Sequence, residues 1–446
     1  WTFGVLPNFG GNSQYIGNLG YLARTLPALT NLANRGNLSA FGYFPEGTEN
    51  NEVLYELASD AIWSRQAPDV AAWLQGYGRA RYGALPAPVQ EAWTLLAQSV
   101  YARGDGSVNQ RLQRRPAGGS YGALWTGDAK LQQAADLLLQ AAPELKQQPL
   151  FRNDAIEVVA QALGMLIDRR LEVGQAALAA DAKEDAARCF RDATALMADL
   201  DRLLAAHSLW RLDRWVGLAR AWGRTPAEQD YFEQDAKRQV TLWGPAGGAQ
   251  LSEYAAKLWS GLVGGYYQGR WSGWSAAQLG GAPFDQAAWE ERWVTTPGGT
   301  QVSPWPDPLG RAAELLTLGR AWDNDDVLRR ARGIEIGQWK SGEMTEQYAD
   351  REWPALALAM AGTHRVRFAY TGGSHRLDIA RAALLVNGAE IAADEHEGTT
   401  GVRNEGNVYT LEVKDPVPAD AKVVLRARIK SAGGTDSNGA IYLRKN

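Results

Sequence analysis

A glutamate at the end of a predicted strand is the first residue in this sequence whose position suggests chemistry. Glu46 follows the apolar run Leu38–Phe44 and precedes Gly47. Side chains at the carboxyl ends of parallel strands line the active sites of α/β barrels. Carboxylates there can cleave a glycosidic bond, a reaction that needs two of them flanking the bond. The other interpretation is an acid that stabilises the next helix N-terminus, a role that Glu49 and Glu52 fit better.

Aromatic side chains form the second group of candidates. The chain has 18 Trp and 16 Tyr, whose flat apolar rings with a polar edge suit sugar rings as well as protein cores. Trp243 stands where Gly244-Pro245 ends a helix, so its ring either faces a cleft or belongs to the core at a helix end. Phe9, in the glycine-rich loop after the first strand, is expected on the same face as the candidate glutamate. Tyr254 and Lys257 are predicted to open the next helix.

Other chemistries lack their motifs. The histidines His207, His364, His375 and His396 are scattered, and no HExxH pair offers the three ligands of a catalytic zinc. The single cysteine, Cys189, excludes an internal disulfide and sits at helical spacing, which predicts a buried side chain. There is no GxSxG elbow and no phosphate-binding loop. We therefore expect no metal and no cofactor.

Composition narrows the class of protein. With 446 residues, 45% of them hydrophobic and 22% charged, the chain is expected to form two or three globular domains. A net charge of −4 argues against nucleic-acid binding, which needs a basic surface. No run of about 18 apolar residues is present, so no membrane insertion is expected.

The candidate residues need an α/β framework at the N-terminus. Residues Trp1–Leu6 and Leu38–Phe44 are predicted strands, each followed by a helix, the first with its apolar stripe from Ile16 to Leu29 and the second at Glu52–Trp63. Such a βαβα unit belongs to a parallel sheet or barrel. Two units cannot close a sheet, so this region is expected to be a fragment of a larger α/β domain.

The remaining chain changes character twice. From Pro68 to about Arg320 helical periodicity dominates, and beyond Gly333 the pattern alternates as in strands, with a hairpin turn at Asn387-Gly388. The predicted architecture is therefore a fragment of a larger α/β domain, a parallel sheet or barrel, at residues 1–64, an all-α domain at 65–325 and an antiparallel β-sandwich at 326–446.

Several blocks in a fixed order carry a resemblance to the α-N-acetylglucosaminidase family, glycoside hydrolase family 89. The similarity covers roughly Trp1 to Arg320, and it implies that residues 1–64 are the last two βα units of a (β/α)8 barrel. The matching blocks are Leu6-Pro7-Asn8-Phe9-Gly10-Gly11-Asn12, Pro45-Glu46-Gly47, Asn51-Glu52-Val53, Arg114-Arg115-Pro116, Gln239-Val240-Thr241-Leu242-Trp243-Gly244-Pro245 and the segment from Tyr254-Ala255-Ala256-Lys257 to Arg270-Trp271.

The resemblance implies roles for five of these positions and for Leu251. Glu46 would be the nucleophile that forms a covalent glycosyl-enzyme, so that terminal α-linked N-acetylglucosamine is released with retained configuration. Leu6 and Phe9 would form pocket walls after the seventh barrel strand. The residues that the helical domain would contribute to the sugar pocket are Trp243, Leu251 and Tyr254.

Two departures from the family pattern affect the site. The acid/base glutamate of the family lies on an earlier barrel strand, in a region that this chain does not contain, so we expect the chain to be inactive by itself. Ser107 stands about where some members carry a histidine. The expected partner is a glycan with terminal α-linked N-acetylglucosamine, and the resemblance implies a periplasmic or secreted bacterial protein. A non-catalytic carbohydrate-binding or scaffold protein is the alternative.

The predicted β-sandwich is similar to an accessory domain of bacterial hexosaminidases. It could contact carbohydrate or act as a spacer, and the lack of an aromatic row on alternating strand positions favours the spacer. The similar stretches are Tyr370-Thr371-Gly372-Gly373, His375-Arg376-Leu377, Val386-Asn387-Gly388, Asp394-Glu395-His396 and Gly434-Thr435-Asp436-Ser437.

Overall fold

The computed structural model divides the chain into two compact units. The first unit comprises Trp1–Leu178 and Lys183–Asp323, and the second comprises Ala179–Ala182 and Asn324–Asn446. The structure describes residues 1–47, 49–104, 106, 108–120, 122–125, 127–179, 182–245, 251–324, 327, 333–373, 375–400, 407–418 and 420–445.

A short parallel strand pair begins the first unit. Strands β1 (Thr2–Val5) and β2 (Ala40–Tyr43) pair from Thr2↔Ala40 to Val5↔Tyr43. Each strand is followed by a helix, α1 (Leu19–Asn31) and α2 (Glu52–Trp63), as the sequence predicts. Because β1 and β2 are parallel, the loops that follow them leave the sheet at the same edge. A second short parallel pair in this unit is formed by β3 (Val108–Asn109) and β4 (Ala123–Leu124).

Helices make up most of the first unit, as the periodicity predicts. Asp69 caps α3 by accepting from two backbone amides, and Cys189 is fully buried in α7. In the described part of the chain, no helix combines the length and apolar character needed to cross a membrane. The further helices are α3 (Val70–Tyr82), α4 (Ala87–Ala97), α5 (Ala129–Leu145), α6 (Pro149–Ala179), α7 (Lys183–Leu204), α8 (Leu212–Arg220), α9 (Pro226–Gln239), α10 (Gly269–Leu279), α11 (Gln286–Thr295) and α12 (Pro308–Ala321).

The prediction that a helix begins at Tyr254 is wrong. Tyr254 and Lys257 lie in a series of turns and extended backbone, and the next helix begins with a π-helical segment, Val263–Gln268, that continues into α10. Glu253 has φ 69° and Gly261 has φ 86°, left-handed conformations that interrupt a right-handed helix. The apolar residues of this stretch have helical spacing, but they are buried on irregular backbone and not on a helix.

The second unit consists of two antiparallel sheets that share one core. One sheet has the strand order β10-β8-β12-β6 with β9 beside β8, and the other has the order β11-β7-β13-β5. Buried residues from both sheets, among them Leu384, Leu425, Phe368 and Ile441, form one hydrophobic cluster. The strands are β5 (Ile334–Trp339), β6 (Ala349–Pro354), β7 (Gly362–Gly373), β8 (Arg376–Val386), β9 (Ala389–Asp394), β10 (Gly398–Thr400), β11 (Val408–Val413), β12 (Val423–Ala432) and β13 (Ser437–Lys445).

The hairpin predicted at Asn387-Gly388 is confirmed. Both residues have positive φ, 49° and 84°, and they connect β8 to β9. Positive φ at both central positions defines the tight turn that matches strand twist. The strand before the turn, β8, runs without interruption from Arg376 to Val386.

Candidate active site

The Glu46 side chain lies just beyond β2 and is exposed to solvent. One of its carboxylate oxygens, Oε2, accepts a hydrogen bond of 2.6 Å from the backbone N–H of Gly10 and a second from the hydroxyl of Tyr254. Oε1 receives no hydrogen bond from the described residues. The carboxylate is therefore held by one oxygen while the other faces outward with its lone pairs available.

The loop after β1 can approach Glu46 because it contains two glycines. Gly10 and Gly11 have φ 67° and 61°, in the left-handed region. A Cβ on Gly10 would lie 1.8 Å from the carbonyl oxygen of Tyr254, and a Cβ on Gly11 would lie 2.7 Å from the Cα of Gly47. Side chains at these positions would push apart the three segments that meet at Glu46.

Tyr254 and Trp243 form an aromatic pair beside the carboxylate. Their ring centroids are 5.1 Å apart with an interplanar angle of 63°. The Trp243 side chain is 38% exposed, and its backbone has φ 56°. The backbone N–H of Trp243 donates to Arg238 O at 2.8 Å. Leu251 is 36% exposed and joins this turn through its carbonyl, which accepts from Tyr254 N at 2.8 Å. Trp243 is thus partly exposed to solvent and does not belong to the core. It lies beside Tyr254, which donates a hydrogen bond to Glu46.

Leu6 and Phe9 are half-buried in the segment after β1. The Phe9 N–H donates to Gly106 O at 3.3 Å, which attaches the loop to the segment before Val108. Among the described residues, no ring contact pairs Phe9 with Trp243 or Tyr254. The structure therefore brings Tyr254 into contact with both Glu46 and Trp243, and places Leu6 and Phe9 in the adjoining loop. Ser107 lies outside the described residues.

Lys257 is a neighbour of the site that the sequence did not single out as functional. Its Nζ donates to Gly10 O at 2.7 Å and also to Gly11 O. Burial lowers the pKa of Lys257 to about 8, although the carboxylates of Glu49 and Glu46 act to raise it. The available signal was a lysine inside the apolar segment from Ala255 to Trp259, because lysine is almost never fully buried without a partner.

Asn12 is a second neighbour that sequence reasoning missed. Its side-chain amide lies 3.1 Å from Tyr254 O, 3.2 Å from Ala256 O and 3.1 Å from Asn109 Oδ1. Asn109 in turn donates to Glu253 O at 3.0 Å. These fully buried amides fix the turn that carries Tyr254 against the loop after β1, because buried polar groups require such partners.

A buried ionic cluster supports the same turn from the other side. Arg270 donates to Glu253 and, at 2.9 Å, to Glu290 Oε1. Arg115 adds a 2.6 Å contact to Glu290 Oε2. Burial raises the pKa of Glu253, and the nearby guanidinium of Arg270 opposes that shift. Glu253 is fully buried, so this pairing anchors the residue immediately before Tyr254.

A salt bridge attaches the loop after β2 to helix α8. Arg214 in α8 contacts Glu49 Oε1 at 2.7 Å, and the indole N–H of Trp210 donates to Glu49 O at 2.6 Å. The Glu49 carboxylate is thus engaged in structure. Among the described residues, no cation forms a salt bridge with Glu46.

These contacts define a class of site: an exposed carboxylate at a parallel strand end, fixed through one oxygen and flanked by aromatic rings, as enzymes that cleave glycosidic bonds use. Comparison with known proteins agrees. The family model described as Alpha-N-acetylglucosaminidase (NAGLU) C-terminal domain matches residues 73–317, and the NAGLU tim-barrel domain matches residues 1–65. The chain belongs to the α-N-acetylglucosaminidase family.

Relatives of this chain are longer proteins. Human α-N-acetylglucosaminidase is 34% identical over 295 residues, which cover 63% of this chain and 39% of the human protein. A family 89 glycoside hydrolase from Clostridium perfringens, solved with 2-acetamido-1,2-dideoxynojirmycin, has a TM-score of 0.66 at 24% identity, covering 72% of this chain and 39% of its own. A variant of the Clostridium perfringens enzyme, solved with its substrate GlcNAc-alpha-1,4-galactose, has a TM-score of 0.65 at 24% identity and covers 71% and 39%. The chain thus spans about two fifths of the length of these relatives.

Proposed function

We propose that this chain forms part of the active site of a retaining exo-glycosidase that removes terminal α-linked N-acetylglucosamine, with Glu46 as the nucleophile. The observation that carries the proposal is the Glu46 carboxylate, which is exposed at a parallel strand end and fixed through Oε2 by Gly10 N–H and the Tyr254 hydroxyl. The membership of the chain in the α-N-acetylglucosaminidase family supports the substrate class.

The proposed reaction has two displacements. Glu46 Oε1 attacks the anomeric carbon, the bond to the leaving oxygen breaks, and that oxygen takes a proton from a second carboxyl group. Water then attacks the same carbon from the opposite face, gives its proton to the second carboxylate and releases Glu46, so that the configuration is retained. The hydrogen bonds on Oε2 hold the carboxylate in place for attack, because correct placement of reacting groups lowers the barrier.

Five further residues are proposed to line the sugar pocket. Trp243 and Tyr254 offer aromatic faces on the side of the helical layer, and Leu251 is exposed in the same turn. Leu6 and Phe9 would line the side formed by the loop after β1. The complex of the Clostridium perfringens relative with GlcNAc-alpha-1,4-galactose supports a pocket for the terminal amino sugar.

We propose that the second carboxylate comes from outside residues 1–446, and that β1, α1, β2 and α2 are two units of a (β/α)8 barrel in a longer polypeptide. Two observations support this. The sheet beside Glu46 has only the strands β1 and β2 among the described residues, and the human relative is covered over 39% of its length. The chain alone is then inactive, because both carboxyl groups must lie about 5–5.5 Å apart across the bond. The C-terminal unit is proposed to be a β-sandwich that acts as a spacer, and export to the periplasm or beyond stays a prediction.

The test replaces Glu46 in the longer protein and measures hydrolysis of an aryl α-N-acetylglucosaminide. Glu46→Gln should lower kcat by about 10³-fold or more, because loss of a covalent nucleophile removes the reaction path itself. Glu46→Ala with added azide should yield the β-glycosyl azide, since the anion attacks directly where the nucleophile is missing. The matched control is Glu49→Gln, a nearby acid engaged with Arg214, which should remain within about tenfold of wild type.

The outcome also separates the enzyme from the alternative, a non-catalytic carbohydrate-binding or scaffold protein. Turnover in Glu46→Gln equal to that of wild type would refute the nucleophile. Sugar binding with no hydrolysis by the longer wild-type protein would favour the alternative. Hydrolysis by residues 1–446 alone would show that the second carboxylate need not come from elsewhere.

A further inference from the structure

Lys257 lies buried where the loops after β1 and β2 meet. Its side chain reaches the two glycines of the first loop, donating to Gly10 O at 2.7 Å and to Gly11 O. A Cβ on Gly11 would lie 2.6 Å from Lys257 Nζ, and one on Gly47 would lie 3.3 Å from it. The ammonium group is thus packed against the backbone of the residue that follows Glu46.

The two polar groups of Gly10 connect this lysine to the carboxylate. Gly10 C=O accepts from Lys257, and Gly10 N–H donates to Glu46 Oε2 at 2.6 Å. A glycine at φ 67° has no side chain to fix its peptide planes. The Gly10 carbonyl and the Gly10 N–H belong to adjacent peptide units joined at the Gly10 Cα, so Lys257 holds the unit next to the one that meets Glu46.

The two carboxylates near Lys257 differ in whether another cation pairs with them. The carboxylates of Glu46 and Glu49 face it from the loop after β2, and the ring of Trp259 lies 5.8 Å from Nζ. Glu49 has its own cation, Arg214, at 2.7 Å, whereas Glu46 has no salt-bridge partner among the described residues. Burial lowers the pKa of Lys257 to about 8, so the group is mostly protonated at neutral pH. The positive charge of Lys257 is thus available to balance Glu46.

We propose that Lys257 is a positioning residue for Glu46: it holds the Gly10 and Gly11 carbonyls so that the Gly10 amide meets the carboxylate, and it supplies the buried positive charge beside that carboxylate. The inference rests on the function proposed above for Glu46. It assigns an electrostatic role to the segment between α9 and α10, which also contributes Tyr254 to the proposed pocket wall.

The test measures the pH dependence of kcat/KM in the longer protein. A dinitrophenyl α-N-acetylglucosaminide is used because its leaving group departs without a proton, so kcat/KM reports the attack by Glu46. Lys257→Met should lower kcat/KM at pH 7 by about 10²-fold, because a displacement of about 1 Å at a catalytic group has an effect of that size. Lys257→Arg keeps the charge and should retain more activity than Lys257→Met.

The alkaline limb of the pH profile gives a second measurement, which does not depend on whether Lys257→Met folds. Wild type should lose kcat/KM above about pH 8 as Lys257 loses its proton, and Lys257→Arg should not lose it there. The loss should occur without unfolding. In the unfolded chain the lysine keeps its proton to a higher pH, so stability rises with pH between the two pKa values. If Lys257→Met does not fold, the comparison of these two alkaline limbs decides the question.

A buried lysine elsewhere provides the matched control. Lys237 donates to Thr296 O at 2.7 Å and Gly298 O at 3.0 Å, and it pairs with Glu233 at 2.7 Å. Lys237→Met should lower the melting temperature and keep the wild-type kcat/KM. Wild-type kcat/KM in a folded Lys257→Met variant, or equal alkaline limbs in wild type and Lys257→Arg, overturns the proposal. Full activity of Glu46→Gln would instead overturn the proposed nucleophile itself, so the two failures can be told apart.

Discussion

Replacing Gly10 by alanine should damage catalysis far more than folding. The substitution adds one methyl group, and its Cβ would lie 1.8 Å from Tyr254 O, 2.6 Å from Tyr254 C and 2.9 Å from Ala255 Cα. All three atoms belong to backbone, so no flexible side chain can rotate away. The segment bearing Tyr254 must therefore shift by an ångström or so before the alanine fits.

The free-energy cost has two parts. An L-residue at the φ of 67° found at Gly10 costs roughly 1–2 kcal/mol. Moving the Tyr254 carbonyl also weakens its 3.1 Å hydrogen bond from Asn12, and such a bond contributes about 1 kcal/mol. The protein should therefore lose about 2–3 kcal/mol of stability and remain folded. The kinetic cost is similar in free energy, about 2.7 kcal/mol, but it appears in full as a lower rate, because a displacement of about 1 Å at a catalytic group can lower the rate by about 10²-fold.

Gly83 allows the strain to be separated from the displacement. It ends α3 with φ 76°, and a Cβ there would have nothing within 4 Å. Gly83→Ala should therefore lose about the same 1–2 kcal/mol of backbone conformational energy without any effect on kcat/KM. Both variants would be made in the longer protein and compared by thermal melting and by hydrolysis of an aryl α-N-acetylglucosaminide.

The paired result decides whether the contact at Tyr254 matters. We expect Gly10→Ala to fall about 10²-fold in kcat/KM while Gly83→Ala keeps wild-type turnover. Wild-type kcat/KM in a folded Gly10→Ala variant would refute the reasoning. It would mean that the position of Tyr254 relative to Glu46 has no influence on the reaction.

Two further substitutions have defined outcomes. Tyr254→Phe keeps the ring against Trp243 but removes a hydroxyl donor to a charged group, a bond that contributes about 1.5–3 kcal/mol. The loss of this bond should lower kcat/KM by about tenfold or more, measured by hydrolysis of an aryl α-N-acetylglucosaminide, whereas wild-type kcat/KM would contradict the bond. Burial, followed by the charge of Glu157, raises the pKa of Glu52 to about 7. Between the unfolded pKa near 4.5 and 7 the folded protein retains a proton that the unfolded chain loses, so this group lowers stability as pH rises through that window. Glu52→Gln should remove this loss and add up to about 3 kcal/mol at pH 7.5, measured by melting against pH, and an unchanged pH dependence would contradict the shift.

Local signals in the sequence predict several elements well. The bounds of α2, Glu52–Trp63, match the predicted helix. The Asn387-Gly388 turn forms where the dipeptide predicts it. Each of these features is determined by residues within about one helical turn or hairpin, so periodicity and turn chemistry are sufficient.

The support of the site could not be predicted in the same way. Lys257 and Gly10 are 247 positions apart in sequence, and Asn12 and Tyr254 are 242 apart. No periodicity connects such residues, and a lysine or an asparagine in a loop gives no sign of the carbonyl it will meet. The same limit explains the incorrect helix at Tyr254, because the left-handed backbone at Glu253 is imposed by tertiary contacts with Thr241 and Arg270.

The ionic cluster behind Tyr254 shows why distant contacts matter for the site. Arg270 and Glu253 are both fully buried, and the Nε of Arg270 and the Oε2 of Glu253 have no hydrogen-bond partner among the described residues. A buried ion pair of this kind adds little net stability, because desolvation of two charges offsets their attraction. Its effect on geometry is larger, since it ties a left-handed residue next to Tyr254 to α10. The cluster therefore fixes the position of Tyr254 more than it stabilises the fold. It follows that substitutions in α10, remote in sequence from Glu46, should impair the site through the placement of one phenol group.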